Sequence, residues 1–127
     1  MSPAKAAYIA RLDRICSKSG DVSRLQNRIL AVDSPGEMDR LFAKIESKYK
    51  RQMAKMSSID KPKQDRKLLG RILSLQRKAL PFFDRLLAAF EARNETLVQT
   101  LSAEAYANAA KSRRLMEEYG FQVCGRV

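Results

Sequence analysis

A chain of 127 residues with 25 Lys plus Arg against 14 Asp plus Glu carries a net charge of +11, and 45% of it is hydrophobic. That is enough apolar side chain for one core, and it excludes both a disordered segment and a membrane-embedded protein, so a single domain over residues 1–127 is expected. The sequence has no His, which removes the commonest general base, a common zinc ligand and the Glu-x-x-His unit of di-iron bundles, so catalytic and metal readings lose their usual residues.

Apolar residues recur at helical spacing nearly throughout, and the short alternating runs that would mark strands are missing. A first helix is predicted over Ala4 to Ser19, with Tyr8, Leu12, Ile15 and Cys16 on one face and Gly20 as its stop. A shorter helix is predicted from Val22 to Ala31, carrying Val22, Leu25 and Ile29, with Asp21 able to cap its start. Ser34-Pro35-Gly36-Glu37 is the clearest local signal. Its serine can bond the exposed amides, its proline suits the first helical position and its glutamate completes a capping box. The helix it starts runs to Ser57, because Met38, Leu41, Phe42, Ile45, Tyr49, Met53 and Met56 fall in one arc.

Asp60-Lys61-Pro62 makes the next turn. Beyond it Leu68, Leu69, Ile72, Leu75, Ala79, Phe83, Leu86, Leu87 and Phe90 keep one face across Pro81. The spacing predicts one long helix kinked at Pro81, with two abutting helices as the alternative. The pattern resets at Asn94-Glu95, and Leu97, Val98, Leu101, Ala105, Ala109, Leu115, Met116 and Tyr119 carry a last helix, continuous or interrupted at Ser102, up to Gly120. The resulting expectation is all-α: an antiparallel bundle of four to five helices with an extended C-terminal tail.

Two cysteines, Cys16 and Cys124, are too far apart for a CxxC pair or a metal knuckle. Spacing alone leaves two readings open, either two unrelated buried thiols or one bridge joining the ends of the chain. A bridge would close a loop of about 108 residues, constrain the unfolded chain by roughly 4 to 5 kcal/mol and persist in an oxidising compartment. After Lys5 only Ala-Ala-Tyr-Ile-Ala precedes Arg11, too short for a signal-peptide core, and no window approaches the roughly 18 apolar residues of a membrane span. A soluble chain without a transmembrane segment is expected.

The two ends carry a resemblance. Ala6-Ala-Tyr-Ile-Ala-Arg-Leu-Asp-Arg-Ile-Cys16 and Glu118-Tyr-Gly-Phe-Gln-Val-Cys-Gly125 resemble a family of small, mostly uncharacterised helical proteins, mostly from actinobacteria. In that family an Ala-Asp-x-Ile-Cys element begins the mature domain and a Tyr-Gly-Leu-x-Val-Cys-Gly element ends it. The turn Ile59-Asp-Lys-Pro-Lys-Gln-Asp65 and the turn Arg93-Asn-Glu95 sit where the family has turns. The resemblance implies a Cys16–Cys124 disulfide and a native precursor that is secreted or lipid-anchored. On that reading the chain is a mature segment whose Met1 stands in place of a leader, and its location is extracytoplasmic, with a cytoplasmic one as the alternative. The family brings no established activity with it.

The charge is uneven: Lys44 to Lys78 holds 12 basic residues against Glu46, Asp60 and Asp65, a local net of +9. Lys44, Lys48, Arg51 and Lys55 fall on one stripe of the third helix, and Lys67, Arg71 and Lys78, with Arg85 beyond, on a stripe of the fourth. If the two helices pair about the Asp60–Pro62 turn, the stripes merge into one positive surface, the best candidate for binding an anion. Outside the membrane its partner would be an anionic polymer, an acidic protein or an anionic membrane surface. Inside the cell it would be nucleic acid, bound through phosphates without reading sequence. The plainest alternative is a solvated helix exterior with no anion-binding role.

Other groupings carry less chemistry. Glu117 and Glu118 are adjacent on a helix and point apart. Met38, Met53, Met56 and Met116 sit at core spacing, as gap-fillers rather than copper ligands. Ser17, Ser19, Ser57 and Ser58 have no His to activate them, no glycine-rich phosphate loop exists, and Phe42, Tyr49, Phe82, Phe83 and Phe90 fall at core spacing rather than among the cations. Asn94-Glu-Thr96 matches a glycosylation acceptor, which has no meaning in a bacterial chain. The function expected is therefore a non-enzymatic binding or structural module, with no catalytic residue, metal or cofactor.

Overall fold

The computed structural model describes residues 1–18, 28 and 34–125. The expected short helix from Val22 to Ala31 lies, apart from Arg28, outside the described residues. Those residues form α1 (Pro3–Cys16), α2 (Pro35–Ser57), a 3₁₀ turn (Lys63–Asp65), α3 (Arg66–Arg77), α4 (Leu80–Glu91) and α5 (Glu95–Tyr119), with no strand among them.

Helix starts follow local chemistry. Ser2 Oγ accepts from the Lys5 N–H at 3.1 Å, Ser34 Oγ from that of Glu37 at 3.3 Å, and Asn94 Oδ1 from that of Leu97 at 3.1 Å. Each cap satisfies a donor left over at a helix start and stabilises by about 1 kcal/mol. At the other end of α1, Ser17 Oγ donates to the Arg14 carbonyl at 2.7 Å and the helix stops at Cys16, three residues short of Ser19. Gly120 takes φ 120°, open to glycine, and ends α5 after an uninterrupted run through Ser102.

The long fourth helix is replaced by two abutting ones. α3 ends at Arg77 and α4 begins at Leu80, with Lys78 and Ala79 close to helical dihedrals between them. Pro81 has no N–H to donate to the Arg77 carbonyl, and its ring crowds that same carbonyl, so the break comes a turn before the proline.

Aromatic pairs set the packing. Phe42 and Tyr49 of α2 meet Phe90 and Phe83 of α4, centroids 5.9 and 5.7 Å apart, so the two helices run antiparallel. α5 runs antiparallel to α3, because Tyr119 donates to Asp65 Oδ2 at 2.8 Å beside one end of α3 while Asn108 Nδ2 donates to the Leu75 carbonyl at 2.8 Å near the other. The main core lies where α1, the end of α2, α3 and the end of α5 converge, with Leu12, Met56, Leu69, Ile72, Leu73 and Met116 each at most 1% exposed. Burying side chains of that size contributes about 1.5 to 3 kcal/mol each. Leu68, expected on the apolar face, is instead 39% exposed.

The tail is not extended. It bends at Gln122 and Val123 and turns at Cys124 and Gly125, burying Phe121 edge-on against Tyr8 at 6.1 Å. Cys16 and Cys124 form a disulfide, Cα atoms 5.2 Å apart. The Asp13 carboxylate closes the same junction: Oδ2 accepts from the Gln122 N–H, and Oδ1 from those of Val123 and Cys124, each at 3.0 Å. A bend that aligns three successive amides on one anion is incompatible with an extended chain, whose N–H groups alternate in direction.

Candidate functional site

α3 divides its residues by sign as well as by polarity. Leu69, Ile72, Leu73 and Leu75 are buried, while Arg66, Lys67, Gly70, Arg71, Ser74 and Arg77, with Lys78 at the C-cap, are exposed. At 100° per residue these residues span an arc of about 140° that contains no carboxylate, with the exposed Leu68 about 60° beyond Arg71. Gly70 and Ser74 lie along its middle, and a Cβ built at Gly70 would meet nothing within 4 Å, so the floor of the arc is open. Arg77 Nη2 donates to Ser57 Oγ at 2.7 Å, joining one edge of the arc to the end of α2.

α2 carries the second set. Lys44, Arg51 and Lys55 are exposed and Lys48 is half-buried. Met56 of α2 shares the core with Leu69, Ile72 and Leu73 of α3, and Phe42, Tyr49 and Ser57 also reach α3 and α4, the Tyr49 hydroxyl donating to the Gln76 carbonyl at 2.9 Å. Phe42, Tyr49 and Ser57 lie about 130° to 150° round α2 from the mean of its cations; on α3, Gln76, whose carbonyl meets Tyr49, lies about 160° from the mean of Lys67, Arg71 and Lys78, and Arg77 about 100° from it. The stripes therefore face opposite flanks and do not merge. The physical reason is the break before Pro81, which makes α4, not α3, the partner of α2 along its length. Arg85 belongs to neither set: its guanidinium carbon lies 5.7 Å from the Phe82 ring centroid.

Lys44, Arg51, Lys55, Lys67, Arg71 and Lys78 make no ion pair with any described acidic residue. The ion pair on α2, Lys50 to Glu46 at 2.9 Å, lies off the stripe, and its hydrogen bond holds Lys50 above its usual pKa. Residues 79–125, by contrast, carry five basic and six acidic side chains, a net of −1, so the positive field is concentrated on α2, the loop after it and α3. At the far end Glu91 is raised by a hydrogen bond shared with Asp39, an exposed pair 52 residues apart that no local spacing reveals.

Of the residues singled out from sequence, Cys16 and Cys124 are brought together. Asp13 was missed as their companion, although it precedes Cys16 by three residues and so shares its side of α1. Among the described residues no group of three His, Cys, Asp or Glu is arranged to hold a metal ion, and no helix is long and apolar enough to cross a membrane. No protein-family model, curated protein or solved structure matches the chain significantly.

Proposed function

We propose that the protein is a non-enzymatic extracytoplasmic module that holds an anionic partner through the exposed cations of α3 and α2. The observation that carries this reading is the arc on α3: five basic residues, from Arg66 to Lys78, with no acidic residue among them. Ordinary solvated helix faces mix both signs, because interspersed charge is sufficient for solubility. An unbalanced arc costs self-repulsion, which an anionic partner relieves.

The Cys16–Cys124 disulfide supports the extracytoplasmic reading. Such bonds persist in oxidising surroundings and are rare in the cytosol. The likeness of both Cys-bearing ends to secreted or lipid-anchored helical proteins supports the same location.

Retention on an anionic support at about 20 mM salt tests the binding. The parent chain should be held and Arg71→Glu/Lys78→Glu should elute earlier; equal elution of both overturns the reading. Thiol titration of denatured, unreduced protein from its native host tests the compartment, where two free thiols would refute it.

A further inference from the structure

We infer that the partner is a flexible phosphodiester polymer, gripped through its phosphates alone and led round two faces of the bundle. The inference rests on the anion-binding reading above and adds the identity of the ligand. Its starting point is the opposition of the two cationic faces. A planar anionic surface laid on Lys67, Arg71 and Lys78 cannot reach Lys44, Arg51 and Lys55, which lie on the other flank. A flexible chain reaches both by passing the loop between the helices, where Lys63 is exposed and Lys61 half-buried.

The chemistry of α3 fits phosphate. Arg66 and Arg71 carry planar forks that match phosphate oxygens in pairs, and the lysines beside them act as point charges, while Arg77 is held by Ser57 at the edge of the arc. From Arg66 to Lys78 the arc is about 18 Å long at 1.5 Å per residue, room for several phosphates of an extended chain. Its floor of Gly70 and Ser74 keeps side-chain bulk away from the polymer.

Nothing on these faces recognises a base. Among the described residues the exposed large hydrophobics are Met1, Leu68, Leu97 and Tyr106, of which Leu68 alone is on α3 and none is on α2. Phe42, Tyr49, Phe83 and Phe90 are committed to ring pairs inside the bundle. Single-stranded nucleic acid gains about 1 to 3 kcal/mol per stacked base where aromatic platforms exist, and here it would gain only what its phosphates provide. Membrane docking fares worse, since Leu68 is the one exposed large apolar side chain of α3 and Leu69, Ile72, Leu73 and Leu75 are buried in the core.

The experiment uses the oxidised full chain against a poly(glycerol phosphate) oligomer, a poly(dT) oligomer with equal phosphates, and phosphatidylglycerol vesicles. Two triple variants, Lys44→Gln/Arg51→Gln/Lys55→Gln and Lys67→Gln/Arg71→Gln/Lys78→Gln, are compared with Arg93→Gln/Lys111→Gln/Arg114→Gln, outside both faces, as a control for the loss of three charges. Each triple variant should lower polymer affinity about tenfold or more at 50 mM salt and reduce the slope of log K against log salt by about 2, at roughly 0.7 for each phosphate no longer neutralised. The control should stay within about threefold, and poly(dT) should match the glycerol polymer within a similar margin. Loss from one triple variant only, tighter binding to vesicles, or poly(dT) preferred by tenfold each overturns the inference while leaving anion binding in place. No binding to any of the three probes at 20 mM salt overturns the anion-binding reading as well.

Discussion

Removing the Asp13 carboxylate should loosen the junction of α1 and the tail by an amount that depends on the replacement. In Asp13→Ala three backbone donors lose their acceptor: the Gln122 N–H, which is exposed, and the Val123 and Cys124 N–H groups, which are partly buried. Hydrogen bonds to a charged group contribute about 1.5 to 3 kcal/mol when shielded and less when wet. With the exposed bond discounted and the disulfide still holding the tail nearby, the expected loss is about 3 kcal/mol. Asp13→Asn can keep its carbonyl oxygen where Oδ1 accepts from Val123 and Cys124, but turns an amide toward the Gln122 N–H, so its loss should be about 1 to 2 kcal/mol. Urea unfolding of the oxidised proteins reads both values. At a slope of about 1.5 kcal/mol per molar, Asp13→Ala should move the midpoint by about 2 M, and the amides of residues 122–124 should exchange faster with solvent. A shift under about 0.3 M for Asp13→Ala, or equal shifts for the two variants, would refute the assignment of Asp13 as a three-point acceptor.

Further outcomes follow from the same geometry. Cys16→Ser/Cys124→Ser should unfold about 4 to 5 kcal/mol more easily, because the bridge restricts a loop of sequence separation 108 in the unfolded chain; a loss below about 1 kcal/mol by urea titration contradicts this. Burial pushes the Tyr8 and Tyr49 hydroxyls up to about 12, and Tyr119 is raised by burial and by its hydrogen bond to Asp65. Folding favours their neutral forms, so this stability is complete below pH 10 and is lost as pH rises through about 12; a urea midpoint flat from pH 9 to 11.5 would exclude it. The Tyr8 hydroxyl is buried without a partner among the described residues, so Tyr8→Phe should leave stability unchanged or raise it by up to about 1 kcal/mol, and a loss above that would reveal a bond to it. Gly120→Ala places a Cβ at φ 120° and 3.2 Å from Ile9 Cδ1, and should lower the melting temperature through a cost of about 1 to 3 kcal/mol; an unchanged melting temperature counts against strain there.

Local information made the helices legible. The serine and asparagine caps, the apolar arc of α2 and the terminating Gly120 act within four residues, so their meaning is present before the chain folds. The candidate site was half legible for the same reason. Periodicity placed Lys44, Arg51, Lys55, Lys67, Arg71 and Lys78 on exposed sides of their helices and Lys48 at a half-buried one, since it reports which side of a helix lies away from the core. It cannot report where a neighbouring helix stands. The union of the stripes failed on that point, when the break before Pro81 gave α2 a different partner.

Sequence alone determined the helical class, the basic segment from Lys44 to Lys78 and the two cysteines as the residues most in need of an explanation. Tertiary structure decided that those cysteines meet, that Asp13 gathers the tail beside them, and that the cations divide between two flanks. Helix formation rests on contacts three or four residues apart, whereas the pairing of α1 with a tail more than a hundred residues later depends on how the intervening helices pack, and no local pattern encodes that geometry.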